Sequence, residues 1–169
     1  MSTLYALVSE LGMSLDQLFV DERETGPAVA EPARDTPRAE PPGARGVGKQ
    51  SADERKSLVM ESGVIWERLT PTHEPDVDFL YVTYEVGGAS SHGETFVHHS
   101  GREYGLVLEG KLRVTVGFQQ YDLGPEDSIA FDSPVPHRLE NIGDVPVRAV
   151  WVALGRYGTD PRAQGLEDR

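Results

Sequence analysis

His99, Glu103 and His137 are the side chains in this sequence best suited to chemistry. Two imidazoles and a carboxylate supply the nitrogen and oxygen donors that a divalent ion such as Fe, Zn, Mn or Ni accepts. A strand over Thr95–His99 would put Thr95, Val97 and His99 on one face and Phe96 and His98 on the other. After a turn at Ser100-Gly101, a strand opening near Glu103 can aim its carboxylate at the point His99 faces, and a later strand starting at His137 adds a third donor. Two histidines and one carboxylate leave other coordination positions open to water, ligand or substrate. The chain has no cysteine, so thiolate ligands, disulfides and thiol nucleophiles are absent, which agrees with a cytoplasmic location.

The elements that must position these residues read as β-structure. Val64–Leu69, Val77–Val86, Thr95–His99, Tyr104–Glu109, Lys111–Val116, Ser128–Phe131, His137–Asn141 and Val147–Leu154 are rich in Val, Tyr, Phe and Thr. Gly87-Gly88, Gly110, Gly117, Gly124, Ser133-Pro134 and Gly143-Asp144 punctuate them. Short strands at such spacing predict an all-β, closed or double-sheet architecture. Ser51-Ala-Asp-Glu54 can cap a short helix ahead of them.

Upstream the texture differs. Leu4, Leu7, Val8 and Leu11 follow helical spacing, Gly12 suits a C-terminal cap, and Ser14 with Gln17 forms a capping box before Leu15, Leu18 and Phe19. Two short helices are expected in residues 2–19. Residues 21–50 hold five prolines and six acidic against five basic residues, the composition of a disordered linker. The expected division is therefore 1–20, 21–50 and 51–169.

Two resemblances follow from these motifs. His99-(x)3-Glu103, Glu103-(x)6-Gly110, Gly124 before Asp127, and His137-(x)3-Asn141 resemble the two motifs of the cupin superfamily. That likeness implies an all-β double-stranded β-helix, a jelly-roll barrel, with one divalent metal on His99, Glu103 and His137. The first histidine of the family's HxH falls on Val97, and the PxG of the second motif is replaced by Asp132-Ser-Pro134, so three protein ligands remain of four. His98 would point to the opposite strand face. Ser2-Thr-Leu-Tyr-Ala-Leu through Leu11-Gly-Met-Ser-Leu-Asp-Gln-Leu-Phe19 resembles the last two helices of the XRE-type helix-turn-helix domain. In that family the DNA-reading helix comes just before this point and would lie before Met1.

Together the resemblances imply the small-molecule or metal-binding sensor domain of an XRE-family transcriptional regulator. The combination also resembles hydroxypropylphosphonate epoxidase, a mononuclear iron enzyme lacking the same first histidine, so a non-heme iron oxygenase or an isomerase-like cupin is the alternative. A metal-free, purely structural barrel is the third reading. Val97, Tyr84, Tyr104, Phe131 and Asn141 are the candidate lining of the ligand pocket, with Arg102, Arg113 and Arg138 as surface cations. His73 and His92 read as exposed loop residues, and Glu85 and Glu109 as solvated strand ends.

Charge and hydropathy exclude other classes. The 169 residues carry a formal charge of −12, and residues 1–20 contain Glu10 and Asp16 but no Lys or Arg, so this chain is not expected to grip DNA unless an upstream segment exists. No apolar run reaches the ~18 residues of a membrane helix, and neither a nucleophile elbow nor a phosphate-binding glycine loop occurs. A small-molecule effector and a homodimer through the cupin domain are the expected partners, with no membrane association.

Overall fold

The structure, a computed structural model, describes residues 47–72, 74 and 76–156. The expected helices of residues 2–19 and most of the expected 21–50 linker lie outside the described residues, as does the end of the 51–169 domain. Residues 47–50 carry no regular structure.

Among the described residues, nine antiparallel strands form two sheets. They are β1 (Ser57–Met60), β2 (Val64–Arg68), β3 (Val77–Tyr84), β4 (Arg102–Glu109), β5 (Leu112–Val116), β6 (Gln119–Leu123), β7 (Ser128–Asp132), β8 (His137–Asn141) and β9 (Val147–Leu154). One sheet runs β1-β2-β3-β9-β4-β7 and the other β6-β5-β8. This is the all-β, jelly-roll class of fold. Ser51 and Glu54 form the expected capping box, around a single 3-10 turn, Ala52–Glu54.

Alternation explains the two faces. Along β4, Glu103, Gly105 and Val107 are buried while Arg102, Tyr104 and Leu106 are exposed, and along β8 His137, Leu139 and Asn141 are buried. Inward residues of both sheets, among them Val64, Trp66, Leu80, Val82, Leu112, Val114, Leu139 and Trp151, form one core. The site residues of β4 and β8 therefore face the same interior.

Three elements differ from the sequence expectation. Thr95–His99 is not a strand: it is joined to the barrel by one bridge, Val97 to His137, and by the His99 N–H donating to the Ser133 carbonyl at 3.1 Å. A longer ladder does not form because the next pairing positions are engaged elsewhere: Val135 N–H donates to the Asp132 carbonyl, and the Leu139 carbonyl accepts from Ser90 N–H. β1 and β6 are strands that the sequence pattern does not signal. Both are edge strands, and β6, with the sequence QQYDL, is exposed over its first four residues, so it lacks the apolar signal of a buried strand.

Candidate metal centre

Each site residue is held by its local backbone. Gly101, at φ 97°, makes the turn between His99 and β4, and a Cβ there would stand 2.0 Å from the Leu154 carbonyl oxygen. The turn thus presses directly on the end of β9. His137 opens β8 and is pinned by the paired bonds of its bridge, Val97 N–H to His137 O at 2.9 Å and His137 N–H to Val97 O at 2.8 Å.

These supports bring His99, Glu103 and His137 together, all three buried, with one donor atom from each within 4.8 Å of the others. Glu103 Oε1 lies 2.8 Å from His99 Nε2 and 3.1 Å from His137 Nε2. Two bonds of ~2.0–2.2 Å meeting at a right angle would separate their donors by about 3 Å, so these spacings suit a shared ion. The imidazoles meet edge to face with centroids 5.3 Å apart, and Phe131 packs on His137 at 5.0 Å.

The hydrogen bonds fix the character of the donors. His99 Nδ1 is 2.8 Å from the Ser100 carbonyl oxygen, and His137 Nδ1 is 2.9 Å from that of Val135. A carbonyl oxygen only accepts, so each neutral ring carries its proton on Nδ1 and presents a lone pair at Nε2. Arg156 Nη2 donates to His99 Nε2 at 3.0 Å, and its Nη1 lies 3.3 Å from Asp78 Oδ2.

Burial is the largest influence on the Glu103 pKa and raises it. When the imidazoles are protonated and donate from Nε2, hydrogen bonds from His137 and His99, with the charges of His137 and Arg156, outweigh burial and hold the carboxyl well below the usual carboxylate range. When both rings are neutral, an anionic oxygen and two Nε2 lone pairs converge instead. A proton on an imidazole satisfies this cluster with Arg156 in place, and a divalent metal bound by all three atoms would take the His99 Nε2 lone pair that Arg156 Nη2 now occupies. The donor set fits a metal: two neutral imidazoles, one monodentate carboxylate, and carbonyl partners fixing each ring.

A small internal cavity of about 20 Å³ adjoins the cluster, walled by Trp66, Leu80, Val82, Tyr84 and Val97 and reaching Glu103 and His137. That is room for about one water, so a larger occupant requires side chains to move. Of the expected pocket residues, Val97 and Tyr84 line it. Phe131 is buried behind His137, outside the cavity lining. Tyr104 is a correction: it is 40% exposed on the outer face of β4, the necessary result of Glu103 pointing inward. Asn141 is also displaced from the expected role, because its side-chain amide donates to the Tyr84, Glu85 and Val145 carbonyls and its oxygen accepts from Gly143 N–H.

His98 and His92 are exposed, as are Glu85 and Glu109; His73 lies outside the described residues. Arg102 pairs with Asp132, Arg113 with Asp122 through two hydrogen bonds, and Arg138 with Glu140. The buried cation of the site is instead Arg156, which sequence reasoning missed together with Asp78 and Trp151. No local motif marks them: their partners lie 57, 78 and 48 residues away.

Residues 80–153 match the Cupin_2 family model, described as the cupin domain. A segment of 80 residues, 46% of this chain and 17% of the relative, is 35% identical to the mannose-1-phosphate guanylyltransferase RfbM of Salmonella typhimurium. A segment of 62 residues, 37% of this chain and 32% of the relative, is 36% identical to the HTH-type transcriptional regulator PuuR of Escherichia coli. The chain thus spans a third or less of the length of these relatives. Among solved structures, Fe(II)-HppE with the alternative substrate (S)-1-HPP superposes with a TM-score of 0.55 at 23% identity, over 64% of this chain and 60% of that one. This likeness is one of fold. The match to the cupin domain is confined to residues 80–153, less than half of the chain, and the two-sheet antiparallel architecture of the β-domain agrees with it. Among the described residues no helix is long and apolar enough to cross a membrane.

Proposed function

We propose that this chain carries the metal-dependent, small-molecule sensor domain of an XRE-type transcriptional regulator, with one divalent ion on His99 Nε2, Glu103 Oε1 and His137 Nε2. The observation that carries the reading is the convergence of these three buried donors, each ring oriented by a backbone carbonyl. The likeness to PuuR supports a regulator, and that of residues 2–19 to the end of an XRE-type domain points the same way. In this reading the chain's residues hold the ion from one side and leave positions open for the effector. Val97, where the cupin motif has a histidine, lines the cavity beside that opening. The domain pairs with a second copy. The small cavity requires an effector that binds by displacing water and moving a wall.

A second reading, a non-heme iron oxygenase, epoxidase or isomerase, is favoured by the donor set itself, since two histidines and a carboxylate serve both binding and oxygen chemistry. Loading the protein with Fe(II) and following oxygen uptake across a panel of small organic acids and alcohols separates the two. The sensor reading expects saturable binding without uptake, and sustained uptake coupled to product formation would replace it with the enzyme reading.

A further inference from the structure

Gly105 and Trp151 are direct partners across β4 and β9. A Cβ built on Gly105 would stand 1.9 Å from Trp151 Cζ3, so the indole fills the space any larger residue at 105 would need. From there Trp151 Nε1–H donates to Glu103 Oε2 at 2.7 Å, two residues along the same inward face of β4. Both partners are buried, Glu103 at 4% and Trp151 at 5% exposure. The indole nitrogen is a donor only, and it engages one carboxylate oxygen while the other faces the two imidazoles. Phe131 backs both sides of the arrangement, 6.5 Å from the Trp151 ring and 5.0 Å from that of His137.

We propose that the Gly105–Trp151 pair is a positioning device that makes Glu103 a one-oxygen metal ligand, so that Trp151 sets the affinity and coordination number of the centre. The inference rests on the metal reading above. The terminal torsion of a glutamate is soft, and an unrestrained carboxylate can swing to offer both oxygens to an ion. The indole N–H stops that rotation and keeps Oε1 aimed at the imidazoles. Trp151 itself touches no ion. It preserves the open positions through which an external ligand binds.

The test uses the full chain, W151F and G105A, each titrated with Co(II) against a competing chelator, with folding followed by circular dichroism. W151F keeps an apolar ring without the donor, whereas G105A keeps the indole and displaces it. Wild type is expected to bind one Co(II), both variants to bind roughly ten- to a hundredfold more weakly, and their visible Co(II) spectra to shift toward higher coordination as Oε2 is released. A tryptophan that merely filled the core would change stability and leave the spectrum unmoved. Wild-type binding with unaltered affinity and spectrum in the folded variants overturns this inference alone, whereas absence of wild-type binding overturns the metal reading and this one with it. If the variants do not fold, Zn(II) is added to wild-type protein and the indole N–H resonances, only two in number, are followed by NMR. The Trp151 signal, distinguished from Trp66 by W66F, must shift on saturation, and an unmoved signal overturns the proposal.

Discussion

Val97 and His137 are locked together by two reciprocal backbone hydrogen bonds, 2.9 and 2.8 Å long, so the residue standing at the cupin motif's missing histidine is tied to one that is present. Val97 is 7% exposed and lines the cavity that Glu103 and His137 also reach. A histidine placed there starts with its backbone already beside the centre.

V97H should therefore raise Zn(II) affinity. Because outer partners alone are worth about 10–100-fold, a fourth protein ligand is expected to contribute more than about tenfold. Competition titration with a chromophoric chelator measures it. An unchanged or weakened affinity in a folded V97H protein would show that the position does not address the ion.

Gly101 should resist substitution. Its φ of 97°, and the mere 2.0 Å that would separate an added Cβ from the Leu154 carbonyl oxygen, leave G101A both strained and crowded. A loss of at least about 2 kcal/mol in denaturant unfolding is expected, together with weaker metal binding, because the same turn spaces His99 from Glu103. Wild-type stability in G101A would contradict the turn.

Acid should remove the contribution of Glu103 in a definite window. A carboxyl whose folded pKa is depressed stabilises the fold fully above its unfolded value, about 4.3, and loses that contribution as pH falls through the lower folded value. E103Q cannot titrate, so the gap in stability between wild type and E103Q should narrow as the pH falls below about 4. A gap that already closes between pH 7 and 5 would show that another group is responsible.

Strand periodicity and motif spacing make the inward faces of β4 and β8, and hence the meeting of Glu103 and His137, legible in the sequence. The exact agreement for His137–Asn141 and Val147–Leu154 reflects strands with one fully buried face. Tyr104 shows the same rule neglected, since the neighbour of an inward Glu103 must point outward. Thr95–His99 has the composition of a strand, but the groups that would extend its ladder, on Val135 and Leu139, are bonded to Asp132 and Ser90 instead. Its alternation survives all the same, with Val97 and His99 buried and His98 exposed. Trp151, Arg156 and Asp78 reach the centre only through the pairing of β3, β9 and β4, a long-range register that no local pattern records.

DNA binding provides a check on the regulator reading. Residues 51–169 hold twenty acidic against eleven basic residues, a net of −9, and residues 1–20 have no basic side chain. Phosphate contacts are correspondingly few, so a low-salt gel shift with residues 1–169 should show no tight, sequence-dependent complex. Such a complex would contradict the charge argument.

Sensor and enzyme readings alike require that His99, Glu103 and His137 hold one divalent ion. Elemental analysis of freshly purified protein beside the H99A/H137A double variant, both confirmed as folded, decides the matter. One equivalent of a single divalent metal per wild-type chain and none in the double variant is the expected outcome. Equal metal content in the two proteins, or none in the wild type even after incubation with Fe(II), Zn(II), Mn(II) and Ni(II), would contradict it.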